Sequence, residues 1–132
     1  MNIDSTKVIV NASQQDIFAF LTDSNNIKEL LPQDKITDFQ SDKEQCSFKI
    51  QGGVIISLVQ DGNDGFDVIK LKSGEGTPFP FKLFINITPQ GEQCEGFIHF
   101  EGEVNMFLKM MVEKPLSNLF NYMSNKLQER FR

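Results

Sequence analysis

The sequence has 132 residues, with 13 Lys and Arg against 18 Asp and Glu and a formal net charge of −5. That length fits one domain, residues 1–132, and the acidity argues against nucleic acid and anionic membranes, both of which are bound through Lys and Arg. Thirteen Phe, one Tyr and no Trp leave an aromatic mass suited to filling a core or lining a greasy pocket.

The first predicted element is a strand over residues 6–11, with Val8 and Val10 on one side and Ile9 on the other. Two short helices follow in "SQQDIFAFLTDSNNIKELLP". Ser13 with Asp16 three residues on is a capping-box pattern with Asp in place of Glu. Ile17, Phe18, Phe20 and Leu21 supply the first apolar stripe. Asp23 or Ser24 caps the second helix, Ile27, Leu30 and Leu31 form its buried face, and Pro32 stops it. Neither helix is long enough to stand alone, so both must be docked.

Strands are then predicted over residues 36–40, 46–51, 54–60, 66–72, 81–88 and 96–104. The separators "SDKEQ", "QGG", "DGNDG", "SGEGTPFP" and "PQGEQ" are rich in turn residues. Connections this short make the strands antiparallel neighbours. Phe81, Leu83, Ile85 and Ile87 share one face of their strand, and Ile98, Phe100 and Val104 share one face of the next. His99, Glu101 and Glu103 point the other way, so one side of the sheet is buried and the other wet.

The segment 105–132 has helical periodicity, with Leu116, Leu119, Phe120, Met123, Leu127 and Phe131 in one stripe. Pro115 is expected to kink the helix or mark a junction. The stretch "MFLKMMV" before it is apolar nearly all round and reads as core, with a Met-lined, adaptable pocket wall as the alternative. The order of elements gives an α+β layer architecture in which a curved antiparallel sheet and a long amphipathic helix bury each other.

Little in the chain carries chemistry. Cys46 and Cys94 are far apart and form no metal-ligand pattern, so reduced, half-buried thiols are expected, with no metal and no cofactor. His99 is the only histidine, which excludes a multi-histidine metal site, and on a wet face it reads as a solvent-facing residue. Glu101 and Glu103 on that same face lack the contrasting environments that separate an acid from a base. The glycine stretches fit hairpin turns and lack phosphate-loop spacing. The start, "MNIDSTKVIV", has no basic segment leading into a long apolar run, and no later stretch is long and apolar enough to span a membrane; a cytoplasmic protein without integral membrane association is expected. Ser57, Asn118, Tyr122, Lys70 and Lys109 are the polar candidates for a pocket, Tyr122 lying on the far side of its helix from the stripe.

"KVIVNASQQDIFAFLTDSNNIKELLP" and "NMFLKMMVEKPLSNLFNYMSNKL", together with the element order, resemble the START-like or SRPBCC helix-grip superfamily across essentially the whole chain. That superfamily includes polyketide cyclases, plant pathogenesis-related allergens and lipid-transfer domains. Ile27 and Lys28 stand where members usually carry a tryptophan. The resemblance implies about seven strands wrapped around the C-terminal helix, with the two short helices between strands one and two. It also implies a cavity between sheet and helix, for which Phe81, Leu83, Ile85, Ile98, Phe100, Phe107, Met110, Met111, Leu119, Phe120 and Met123 are the candidate lining. "TPFPF" reads as an extended or turn segment before its strand, with a lip over the cavity entrance gated by Phe79 as the alternative. Three functions fit: non-catalytic binding or transport of a hydrophobic small molecule, a cyclase- or dehydrase-like enzyme, and a protein-interaction module whose cavity is filled. The first is expected, without catalytic residues, in a monomer or homodimer with a small or partly filled cavity.

Overall fold

A computed structural model describes residues 1–132. Its strands are β1 (Asn2–Asp4), β2 (Val8–Val10), β3 (Thr37–Ser41), β4 (Gln45–Lys49), β5 (Ile55–Asp64), β6 (Val68–Ser73), β7 (Phe81–Gln90) and β8 (Gln93–Gly102). Helix α1 spans Gln14–Leu21, a 3₁₀ helix spans Ser24–Leu30, and helix α2 spans Met106–Arg130. The strands form one antiparallel sheet in the order β1-β8-β7-β6-β5-β4-β3, with β2 also paired to β8.

The sheet thus holds eight strands where about seven are expected from sequence. The additional one is β1, three residues with a single buried position at Ile3, too short for alternation to reveal. Two turns also fall elsewhere than expected. "DGNDG" is not a turn as a whole: β5 runs on through Asp64 with a register shift between Gln60 and Asn63, and the chain reverses after it, at Gly65 to Asp67. Phe66 therefore sits in the turn, its ring edge-on to Phe18 at 4.9 Å. "PQGEQ" is mostly strand, with β7 and β8 paired out to Gln90 and Gln93. Gly91 takes a φ of 66° in that tight reversal, a conformation open to glycine at little cost.

The helix caps follow the sequence. Ser13 Oγ accepts the Asp16 N–H at 3.1 Å, and Asp23 Oδ1 accepts the Asn25 N–H at 3.0 Å. The second short helix is 3₁₀, a geometry that suits a short connector held by packing. Helix α2 continues through Pro115 without the expected junction. Proline has no N–H for the Met111 carbonyl, and Met111 lies on the exposed side of the helix, where water can serve that oxygen.

The core lies between the sheet and the α2 face carrying Val112, Leu116, Leu119, Phe120, Met123 and Leu127. Its centre is aromatic: Phe100 packs 5.2 Å from Phe81, 5.4 Å from Phe120 and 6.5 Å from Phe79, between ring centroids. A Cβ at Gly102 would lie 2.8 Å from the Phe100 ring, so the backbone approach there depends on glycine.

The C-terminal half of α2 is fastened to the first elements. Ser5 Oγ lies 2.8 Å from Ser124 Oγ and accepts the Ile98 N–H at 2.8 Å. The Thr6 N–H donates to Asn121 Oδ1, and Gln128 Nε2 donates to the Ile9 carbonyl. Arg130 lies over the Phe20 ring and 3.7 Å from Glu29.

Candidate functional site

A cleft of about 260 Å³ opens where α2 passes two loops. Its walls come from three separate segments: Pro32, Asp34, Lys35 and Ile36 after the 3₁₀ helix, Ile50 and Gln51 at the β4–β5 turn, and Pro115, Asn118, Leu119 and Tyr122 on α2. Local chemistry holds each in place. Gln33 Nε2 donates to the Lys28 and Leu31 carbonyls, bracing the first loop. The second loop closes through the Gly53 N–H on the Ile50 carbonyl, with Gly52 and Gly53 at φ 87° and 78°. On α2, positions 115, 118, 119 and 122 follow the spacing of one helix face.

The cleft is apolar at depth and polar at its mouth. Pro32, Ile36, Ile50 and Leu119 are buried; Asp34, Lys35, Gln51, Asn118 and Tyr122 are exposed. Leu119 belongs both to this wall and to the main core.

Of the residues expected to line an internal cavity, Phe81, Leu83, Ile85, Ile98, Phe100, Leu119, Phe120 and Met123 are all buried in one core cluster. Phe79, the expected gate, is also buried, its ring against Phe81 and Phe100. Phe107, Met110 and Met111 lie on the opposite, exposed side of α2, together with Met106. The core reading of "MFLKMM" is thereby corrected. That segment is apolar on both faces, and the sheet takes only the side bearing Val112, with Leu108 partly buried against it.

The polar candidates separate in the same way. Asn118 and Tyr122 line the cleft; the position of Tyr122 away from the buried stripe is what brings it there. Ser57 is structural, donating to the Glu75 carbonyl at 2.8 Å while its own N–H donates to Thr77 Oγ1. Lys70 and Lys109 make ion pairs with Asp64 and Glu113. Pro32, Ile36, Ile50 and Pro115 carry the wall without having been candidates, because a proline read as a stop gives no sign that it also faces a cleft.

On the outer sheet face, His99 is less free than its strand position suggests. Its Nδ1 is 2.5 Å from Asp4 and its Nε2 3.1 Å from Glu101, with the ring stacked on Phe84. Partial burial disfavours the imidazolium, but hydrogen bonds to Asp4 and Glu101 and the charges of both more than offset it, so the pKa is raised above the ordinary value. This is a doubly anchored histidine tying β1 to β8. No helix is long and apolar enough to cross a membrane.

One long helix laid on an antiparallel sheet, with a short helix pair inserted near its start, defines the START-like helix-grip fold. The chain is similar in structure to a START superfamily protein from Mycobacterium smegmatis, at 16% identity and a TM-score of 0.70 over 98% of this chain and 96% of that one. It is also similar to TTHA0849 from Thermus thermophilus, at 14% identity and a TM-score of 0.72 over 99% and 97% of the two chains. A third likeness is to truncated norcoclaurine synthase from Thalictrum flavum, at 18% identity and 0.68 over 98% and 92%. At such identities the shared property is the fold. No protein-family model matches the chain, and no curated protein matches it by sequence.

Proposed function

We propose that the chain binds a small apolar molecule in the cleft between α2 and the two loops, without transforming it. The observation that carries this reading is the convergence of Pro32, Ile36, Ile50 and Leu119 from three chain segments, with Asn118 and Tyr122 at the rim to orient a ligand. A few placed polar groups on an apolar wall are what a small-molecule site requires. The volume of about 260 Å³ suits a compact ligand such as one or two rings or a short acyl chain. The charged groups nearby, Asp34 and Lys35, are solvated on an open rim, and Tyr122 is exposed there too, which favours binding over acid–base chemistry.

Tyr122 is the only tyrosine and the chain has no tryptophan, so intrinsic emission reports directly on the cleft. Titration with compact aromatic and short-chain acyl compounds is expected to change Tyr122 emission and to shift amide resonances of Ile36, Ile50, Asn118 and Leu119. If no compound in such a panel moves either signal, while others perturb residues elsewhere, the cleft is not the binding site.

A further inference from the structure

We propose that the exposed apolar face of the first turns of α2 is a self-association surface, through which two copies of this chain pair about a two-fold axis near Met110. Met106, Phe107 and Met110 are 76%, 73% and 82% exposed, and Met111 is 44% exposed. At 100° per residue these four fall within an arc of about 140°, opposite the buried Val112 and Leu116. The strip is therefore a continuous second face of the helix, distinct from the face gripped by the sheet.

Its area decides what can cover it. At about 150–200 Å² for each fully exposed side chain, the four leave roughly 500 Å² of apolar surface per copy. That is near the upper end for a single patch on a soluble monomer. Two such strips face to face remove about 1,000 Å², the lower limit for a specific interface.

Charge favours a second copy over a lipid surface. On α2 the charged residues beside the strip are Lys109, Glu113 and Lys114, with Glu103 three residues before the helix in sequence, two acids and two bases in all, and Lys109 pairs with Glu113 at 3.7 Å. This near-neutral border offers no net attraction to anionic lipid, and it lets two copies with a net charge of −5 each approach along it. Beyond Met111 the same arc carries only polar side chains, Lys114, Ser117, Asn118, Asn121, Ser124, Asn125 and Gln128, and Asn121, Ser124 and Gln128 are bonded to Thr6, Ser5 and Ile9. The apolar overlap is thus confined to the first turns, which places the two-fold crossing there and gives an isologous contact. The cleft begins one turn further on, at Pro115, so the two surfaces can be tested separately.

Sedimentation velocity from about 1 µM to about 500 µM is expected to show a monomer–dimer equilibrium. Met110→Glu is expected to raise the midpoint concentration at least about tenfold with far-UV circular dichroism unchanged, because the side chain lies outside the core. Asn125→Glu, further along the same arc, is expected to leave the midpoint where it was. Both native cysteines are buried, so Met110→Cys introduces a single accessible thiol. Oxidised glutathione is expected to join two copies of that variant by a disulfide, and not two copies of Asn125→Cys. A monomer at every concentration, a dimer indifferent to Met110→Glu, or binding to neutral phosphatidylcholine vesicles in place of self-association would each overturn the proposal.

Discussion

Replacing Phe100 with alanine tests whether the space between sheet and helix is filled. Phe100 is 1% exposed and meets Phe79, Phe81 and Phe120 at centroid distances of 5.2–6.5 Å. Truncating a buried Phe costs about 3–5 kcal/mol, from lost transfer energy and from the cavity left behind. Three ring contacts and the glycine-dependent approach at Gly102 place Phe100 at the upper end, about 4–5 kcal/mol. Against a total stability of about 5–15 kcal/mol this removes a large share. For a domain of this size it corresponds to a Tm lower by about 10–20 °C. Urea unfolding followed by far-UV circular dichroism measures it, with the midpoint expected to fall and the m-value to stay constant. The variant is also expected to bind xenon or benzene in the new void, as dry apolar cavities do, while the wild type does not. A cost below about 2 kcal/mol, or wild-type binding of xenon beside Phe100, would show that the ring borders open space and refute the filled-core account.

The other predictions concern polar links and thiols. Ser5→Ala leaves the buried Ile98 N–H without its Oγ acceptor and is expected to cost about 1–3 kcal/mol in urea unfolding; a loss under about 0.5 kcal/mol would mean the link to Ser124 and β8 is dispensable. Because the folded pKa of His99 is raised, its contribution is full below the unfolded value near 6.5 and is lost as pH rises through the folded value. The stability gap between wild type and His99→Asn is therefore expected to shrink on going from about pH 5.5 to pH 8, by less than about 1 kcal/mol given the exposed carboxylates; a gap constant with pH would count against the pairing. Burial pushes the Cys46 thiol up to about 12 and raises that of Cys94 as well. A thiol-specific disulfide reagent at neutral pH is expected to label neither in the folded protein and both after unfolding, and rapid labelling of native protein would contradict their burial.

How much of this can be read from the sequence depends on which physical signal each part leaves behind. The pattern of β7 is clear because period-two alternation runs through Phe81, Leu83, Ile85 and Ile87, and all four are buried, whereas β8 keeps Ile98 and Phe100 on its buried face but ends at Gly102, short of Val104. The caps at Ser13 and Asp23 are equally local, since each needs only one side chain and a nearby N–H. Strand β1 escapes because three residues with one buried position make no pattern. The first turns of α2 show a different limit. Periodicity says that a segment is helical, but when apolar residues surround the axis it cannot say which side the sheet will take, and Met110 and Val112 carry equal weight. The cleft is hidden for a third reason: its walls are few residues from each of three distant segments, and only the fold brings them together.

The links between the two ends of the described chain have a kinetic consequence. Ser5 bonds Ser124 across 119 positions, and Asn2 to Asp4 pair with residues 99–101 of β8. The meander from β3 to β8 can zip between sequence neighbours, each hairpin closing a short loop. Strands β1 and β2 can dock only after β8 exists, and α2 can be clasped only after β1 and β2 are in place. Such distant closures slow folding, because loop entropy is lost before any contact compensates for it. On a ribosome, the edge of β8 can be covered by β1 and β2 once β8 has emerged, but the sheet face that receives α2 stays uncovered until α2 itself has emerged. That interval, more than the equilibrium stability of the finished domain, is when this chain is most exposed to aggregation.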